Sequence, residues 1–218
     1  MSSINSKFPS DKFCKSSNFY PKNLQIDSLF GKKSKKIDKS DENIQEKYNA
    51  LLTKYPNYQI YYIDSSFKNK ESGHAIVTSD YYNKDKLTTV KVEFSQIAAN
   101  SVDAELLGIL MAVEYLQNKD GKFLIFNDSK NGIGMLKKFE NSKNVKAREI
   151  LETIKASKAQ FVIAWAPRKL KGIVFADEVS KIARKHGSVL VDNIKDKINF
   201  NIILVIFCQY CCLLYFIF

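Results

Sequence analysis

The hydrophobic pattern changes its period near residue 101, and this change constrains the fold more than any other feature of the sequence. Before it, three short segments rich in aromatic and β-branched residues are separated by polar turns, which is typical of strands. After it, apolar residues recur on one helical face, and strand-like and helix-like segments then alternate. The predicted strands are 58–63, 74–79, 88–94, 122–126 and 161–165, and the predicted helices are 101–117, 129–139, 145–157 and 174–185. The order βββαβααβα predicts an α/β fold with one mixed five-stranded sheet and flanking helices.

The predicted elements occupy the middle of a 218-residue chain. Residues 1–54 are polar and basic, and we expect them to be mostly disordered apart from a short helix over 44–55. Residues 55–187 form the expected folded domain, and 188–218 comprise a linker and an apolar tail. The run 202–218 is apolar except for Gln209. It is interpreted as a membrane anchor, as translated non-coding sequence, or as a buried core segment.

Charge and cysteine content narrow the expected partners and compartment. Lys and Arg number 34 against 23 Asp and Glu, a formal net charge of +11, which favours nucleic acid as a partner but is equally compatible with a merely soluble basic protein. Residues 1–40 contain no apolar stretch of the secretory type, and four cysteines are too few for a disulfide scaffold. We therefore expect an intracellular protein of the nucleus or cytoplasm, attached to a membrane if the tail is an anchor. No protein partner is predicted.

Four acidic residues fall where the predicted fold would bring them together. Asp64 and Asp128 end predicted strands, Glu105 lies in the first turn of a predicted helix, and Asp177 lies early in the last helix. Strand ends and helix starts converge on one edge of such a sheet, where ligands commonly bind. Four carboxylates there would repel one another without cations, and hard divalent ions prefer oxygen ligands. Each residue alone could equally cap a helix or end a strand, so only their joint placement predicts a metal site.

The segments around these carboxylates resemble the motifs of type 1 ribonuclease H. The matching segments are 64–66 (DSS), 104–107 (AELL), 126–129 (FNDS), 165–167 (WAP) and 176–178 (ADE). The similarity extends over residues 55–185 and is closest to the ribonuclease H domains of non-LTR retrotransposon polyproteins, which also open with an aromatic strand. Each piece alone is a weak signal, whereas all of them in order on the appropriate elements are a specific one.

The resemblance implies a metal-dependent endonuclease that hydrolyses the RNA strand of RNA–DNA hybrids, in a retroelement-derived fragment. It implies two Mg2+ ions, which Mn2+ could replace, and two such ions can activate water and stabilise the leaving oxygen. The implied catalytic and metal-binding residues are Asp64, Glu105, Asp128 and Asp177. The implied substrate contacts, including those that distinguish RNA by its 2′-hydroxyl, are Ser65, Ser66, Ser129 and Lys130.

Two departures from the family pattern bear on activity. Ser65 stands where the family usually has a glycine that lets the backbone approach the substrate. The loop over 167–175 is two residues shorter than in the family and lacks its histidine. We therefore expect reduced rather than abolished activity. Two other functions stay open, a catalytically inactive nucleic-acid-binding relative of the same fold and a tail-anchored membrane protein whose domain binds a partner.

Overall fold

A computed structural model describes residues 20–29, 40–80, 86–138 and 144–187. The strands are β1 (Leu24–Ser28), β2 (Gln59–Lys68), β3 (Glu71–Ser79), β4 (Leu87–Ser95), β5 (Lys122–Asn127) and β6 (Gln160–Trp165). The helices are α1 (Asp41–Lys54), α2 (Ser101–Leu116), α3 (Lys130–Lys137), α4 (Val145–Ala156) and α5 (Lys171–His186). The α/β class and the mixed sheet are confirmed, and from β2 to α5 the elements follow the predicted order.

The sheet has six strands in the order β1-β6-β5-β2-β3-β4, so the expected number of five is wrong. Strands β2, β3 and β4 are antiparallel neighbours, whereas β1, β5 and β6 run parallel to β2. The additional strand, β1, lies within the segment 1–54 that was expected to be mostly disordered. Of its five residues, only Leu24 is buried, so β1 has no hydrophobic pattern typical of a strand. It is a strand because it pairs with β6.

Helices cover both faces of the sheet. On one face, α2, α3 and α4 pack against side chains such as Ile63, Ile125 and Ile163. On the other face, α1 and α5 pack against neighbouring residues such as Tyr62 and Phe126. Successive strand residues therefore point to opposite layers, and both layers are apolar. This arrangement is a three-layer sandwich, in which the sheet lies between two layers of helices.

Helix α1 belongs to the folded unit, although the expected domain began at residue 55. Leu29 and the apolar face of α1 join the buried cluster that contains Tyr62 and Phe126. The Asp27 carboxylate of β1 also accepts hydrogen bonds from Lys54 Nζ at 2.7 Å and from Tyr55 Oη at 2.8 Å. The helix itself was predicted, but its covering role was not, because a 14-residue amphipathic pattern does not say which surface it packs on.

The predicted apolar tail, 202–218, lies outside the described residues. Across the four ranges that the structure describes, none of the helices is both long enough and apolar enough to cross a membrane.

Helix α5 lies unusually close to β3 at Gly73. A Cβ atom built on Gly73 would lie within 3.0 Å of the Ser180 carbonyl oxygen and of the Arg184 amide nitrogen. Because both atoms are backbone, Gly73→Ala should displace α5 and lower the free energy of unfolding by about 1–3 kcal/mol. Thermal melting of the two proteins measures this loss.

The matched control is Gly134→Ala in α3, where no described atom lies within 4 Å of the added methyl group. This variant should melt at the wild-type temperature or slightly above it, because alanine favours a helix over glycine by about 1 kcal/mol. Equal melting temperatures for the two variants would contradict the close approach of α5 and β3.

Candidate metal centre

Three of the four acidic residues converge where β2, β5 and α2 meet. Asp64, Glu105 and Asp128 each place a carboxylate oxygen within 4.8 Å of the others. Asp64 lies inside β2 rather than at its end, because β2 continues to Lys68. The pairing of β2 with β5 stops at Tyr62, so Asp64 is the second residue beyond it. The short, apolar β5 thereby brings Asp128 beside Asp64.

Asp64 is the most deeply buried member of this carboxylate cluster, with 1% of its surface exposed. Its Oδ2 accepts a hydrogen bond from Ser180 Oγ of α5 at 2.9 Å. Its Oδ1 is buried and has no hydrogen-bond partner in the described part of the chain. Burial, with the negative charge of Asp128 as the next cause, raises the pKa of Asp64 to about 7.

Glu105 enters the cluster from the second turn of α2, just beyond the expected first turn, and is held by Asn127. The Asn127 Nδ2 group donates to Glu105 Oε2 at 2.9 Å and to the Ile63 carbonyl at 3.1 Å, while its Oδ1 accepts from the Ser129 amide at 2.9 Å. Burial and the charge of Asp64 raise the pKa of Glu105 well above its ordinary value. Asn127 was not predicted as a site residue, although an amide directly after an apolar strand and before Asp128 was a usable sequence signal.

Asp128 is held by groups from the end of β6 and the loop after it. Trp165 Nε1 donates to the Asp128 carbonyl at 2.8 Å, and Arg168 Nε donates to Asp128 Oδ2 at 2.8 Å. The hydrogen bond to Asp128 raises the pKa of the Arg168 guanidinium. Arg168 was also not predicted as a site residue. It lies 40 residues from Asp128, and no local sequence pattern indicates a contact at that separation.

Asp177 stands beside the carboxylate cluster without belonging to it. Its carboxylate forms an ion pair with Lys181, one turn further along α5. Its backbone carbonyl accepts a hydrogen bond at 2.9 Å from Ser180 Oγ, the group that also binds Asp64. The expected metal-ligand role of Asp177 therefore stays a prediction.

The four expected substrate contacts have diverse surroundings. Ser65 Oγ lies 3.0 Å from His74 Nδ1 in the interior, and Ser66 Oγ accepts from Arg184 Nε at 2.9 Å. Ser129 caps α3 by accepting from the Gly132 amide at 3.1 Å. The exposed Lys130 places Nζ 4.2 Å from the centre of the Trp165 ring. Their roles toward a substrate stay predictions.

A buried hydroxyl–imidazole chain explains the serine at position 65. Ser72 Oγ donates to the Ser95 carbonyl at 3.1 Å, so it accepts from His74 Nε2 at 3.0 Å, which leaves Nδ1 to accept from Ser65. Burial lowers the pKa of His74 to about 4, so the imidazole is neutral at pH 7. The Ser65 side chain thus links β2 to β3 through His74, and it lies against Gly108 of α2, the helix that carries Glu105.

The carboxylate cluster fits a divalent cation. Its three oxygens are close enough to share one ion, and carboxylates are the preferred ligands of Mg2+ and Mn2+. The buried Asp64 Oδ1, which lacks a donor among the described residues, is an oxygen that a cation would satisfy. Asp64 and Glu105 are buried acids with raised pKa values, so ionising both is costly in the absence of such an ion.

The fold and site define an α/β protein with a six-stranded mixed sheet and a buried cluster of three acidic residues able to bind a metal ion. Comparison with known proteins found no matching family model and no significantly similar curated protein. The fold is compatible with that of ribonuclease H.

Proposed function

We propose that the protein is a metal-dependent nuclease that hydrolyses the RNA strand of RNA–DNA hybrids. The observation that carries the proposal is the carboxylate cluster of Asp64, Glu105 and Asp128, whose oxygens lie within 4.8 Å of one another. The sheet order β4-β3-β2-β5-β6, with helices on both faces, supports the resemblance to ribonuclease H. The inferred retroelement origin rests on that resemblance alone.

The side chains around the carboxylates have distinct roles in this proposal. Ser180 and Asn127 orient Asp64 and Glu105 through hydrogen bonds, and Arg168 and Trp165 orient Asp128. Bound divalent cations would supply electrostatic stabilisation and water activation for phosphodiester cleavage. Orientation matters because ligands fixed by surrounding hydrogen bonds keep the geometry that a metal requires.

Positive charge supports binding of a polyanionic substrate. The chain carries a formal charge of +11, and the exposed Lys130 and Arg168 flank the carboxylate cluster. Phosphate contacts by such residues contribute affinity that falls steeply with salt.

A second candidate function is binding of nucleic acid without catalysis. One observation favours it, namely that two of the four expected metal ligands already have cationic partners, Arg168 on Asp128 and Lys181 on Asp177. Such a protein would bind hybrids without cutting them.

The test is cleavage by the full chain of a hybrid labelled on its RNA strand, with double-stranded DNA and double-stranded RNA as parallel substrates. We expect Mg2+ or Mn2+ to support cleavage of the RNA strand of the hybrid alone, and EDTA to abolish it. Salt-sensitive binding without cleavage in either metal would overturn the nuclease proposal and support the second candidate.

A further inference from the structure

The acidic residues of this site already face two cationic side chains. Arg168 reaches Asp128 at 2.8 Å, and Lys181 pairs with Asp177. When Asp64 and Glu105 are ionised as well, the four acids carry a charge of −4, of which the two cations compensate half. The two negative charges that remain are balanced by one divalent cation.

We propose that Arg168 serves as the second cation of this centre, so that the carboxylate cluster takes one divalent ion rather than two. The inference rests on the proposed function, because it concerns the same carboxylates. It specifies their metal stoichiometry and assigns a positioning role to Arg168.

The ligand geometry supports a single ion. The three clustered oxygens of Asp64, Glu105 and Asp128 can share one ion, and the buried Asp64 Oδ1 has no hydrogen-bond partner within the residues that the structure describes. A second ion would need further oxygens, whereas Asp128 Oδ2 is bound to Arg168 and the Asp177 carboxylate to Lys181.

The Arg168 guanidinium can supply a permanent positive charge to this centre. Guanidinium stays protonated at any pH at which proteins fold, so its charge cannot be lost by titration. Its side chain is 71% exposed, whereas that of Asp128 is 9% exposed, so the guanidinium covers the Asp128 carboxylate from the solvent side. The neighbouring Lys169 instead lies 3.3 Å from Asp41 at the start of α1.

The test counts bound Mn2+ in the full chain by isothermal titration calorimetry and by loss of the electron paramagnetic resonance signal of free Mn2+. The wild type and Arg168→Lys should each bind one ion. Arg168→Ala should bind a second ion or bind the first roughly tenfold more tightly, because a competing positive charge is removed. Circular dichroism verifies that each variant is folded.

Lys169→Ala is the matched control, because it removes the same charge from the same loop, and Lys169 pairs with Asp41 rather than with a carboxylate of the cluster. It should retain one ion at wild-type affinity. Two ions in both the wild type and Arg168→Ala would overturn the inference while leaving the proposed function intact. Absence of binding in both proteins would overturn the metal centre itself, and the proposed function with it.

Discussion

Replacing Asp64 with Asn is expected to raise the melting temperature of the metal-free protein near neutral pH while abolishing hybrid cleavage. In the folded protein, burial and the charge of Asp128 penalise the ionised form of Asp64. Asn removes that charge at nearly constant shape, and its side chain can still accept the hydrogen bond from Ser180. The same change removes a carboxylate from the cluster, so cleavage should fall at least about a hundredfold.

The pH dependence of this effect has a definite sign. The pKa of Asp64 is about 7 in the folded state and has an ordinary value of 3.8, so the folded protein retains a proton that the unfolded chain releases. The free energy of unfolding therefore falls as the pH rises from 3.8 to about 7. Asp64→Asn lacks this contribution, so its advantage should vanish near pH 4 and reach on the order of 5 °C above pH 7.

Thermal melting between pH 4 and 8, with and without Mg2+, checks this prediction. Mg2+ should raise the melting temperature of the wild type, because the ion binds the folded state, and should leave that of Asp64→Asn unchanged. Asp120→Asn, the same substitution at an exposed turn, should resemble the wild type in both respects. A lower melting temperature for Asp64→Asn throughout the pH range would mean that Asp64 is a structural carboxylate.

Deleting residues 1–54 is expected to prevent stable folding, although the sequence placed the domain boundary at residue 55. The deletion removes β1, α1 and five apolar side chains of the buried cluster on that face of the sheet, namely Leu29, Ile44, Tyr48, Leu51 and Leu52. Each such side chain contributes about 1.5–3 kcal/mol through burial. Their sum is comparable to the entire stability of a typical domain, about 5–15 kcal/mol.

Circular dichroism and size-exclusion chromatography of the truncated chain measure this effect. A single substitution in α1 tests the same packing without deleting the segment. Leu51→Ala should lower the free energy of unfolding by about 2–5 kcal/mol, because Leu51 is buried. Glu46→Ala, at an exposed position of the same helix, should change it by less than about 0.5 kcal/mol. Cooperative melting of the truncated chain at the wild-type temperature would show that β1 and α1 are dispensable.

The sequence by itself determined the order of elements from β2 to α5 and the candidates for the carboxylate cluster. Strand and helix periods are local properties, so they are visible in segments such as 122–126 and 101–117 without knowledge of the fold. The positions of Asp64, Glu105, Asp128 and Asp177 relative to those elements predicted that the four converge, and the structure brings the first three together.

Only the tertiary structure decided which groups accompany those carboxylates and where the fold begins. Asn127 binds Glu105 across 22 residues, Arg168 binds Asp128 across 40, and Ser180 binds Asp64 across 116. Such contacts depend on how β5, β6 and α5 are placed around β2, which no local pattern specifies. Strand β1 is a strand because β6 offers it a free edge, and α1 covers the sheet because an apolar face there needs burial. Both are consequences of packing between distant segments.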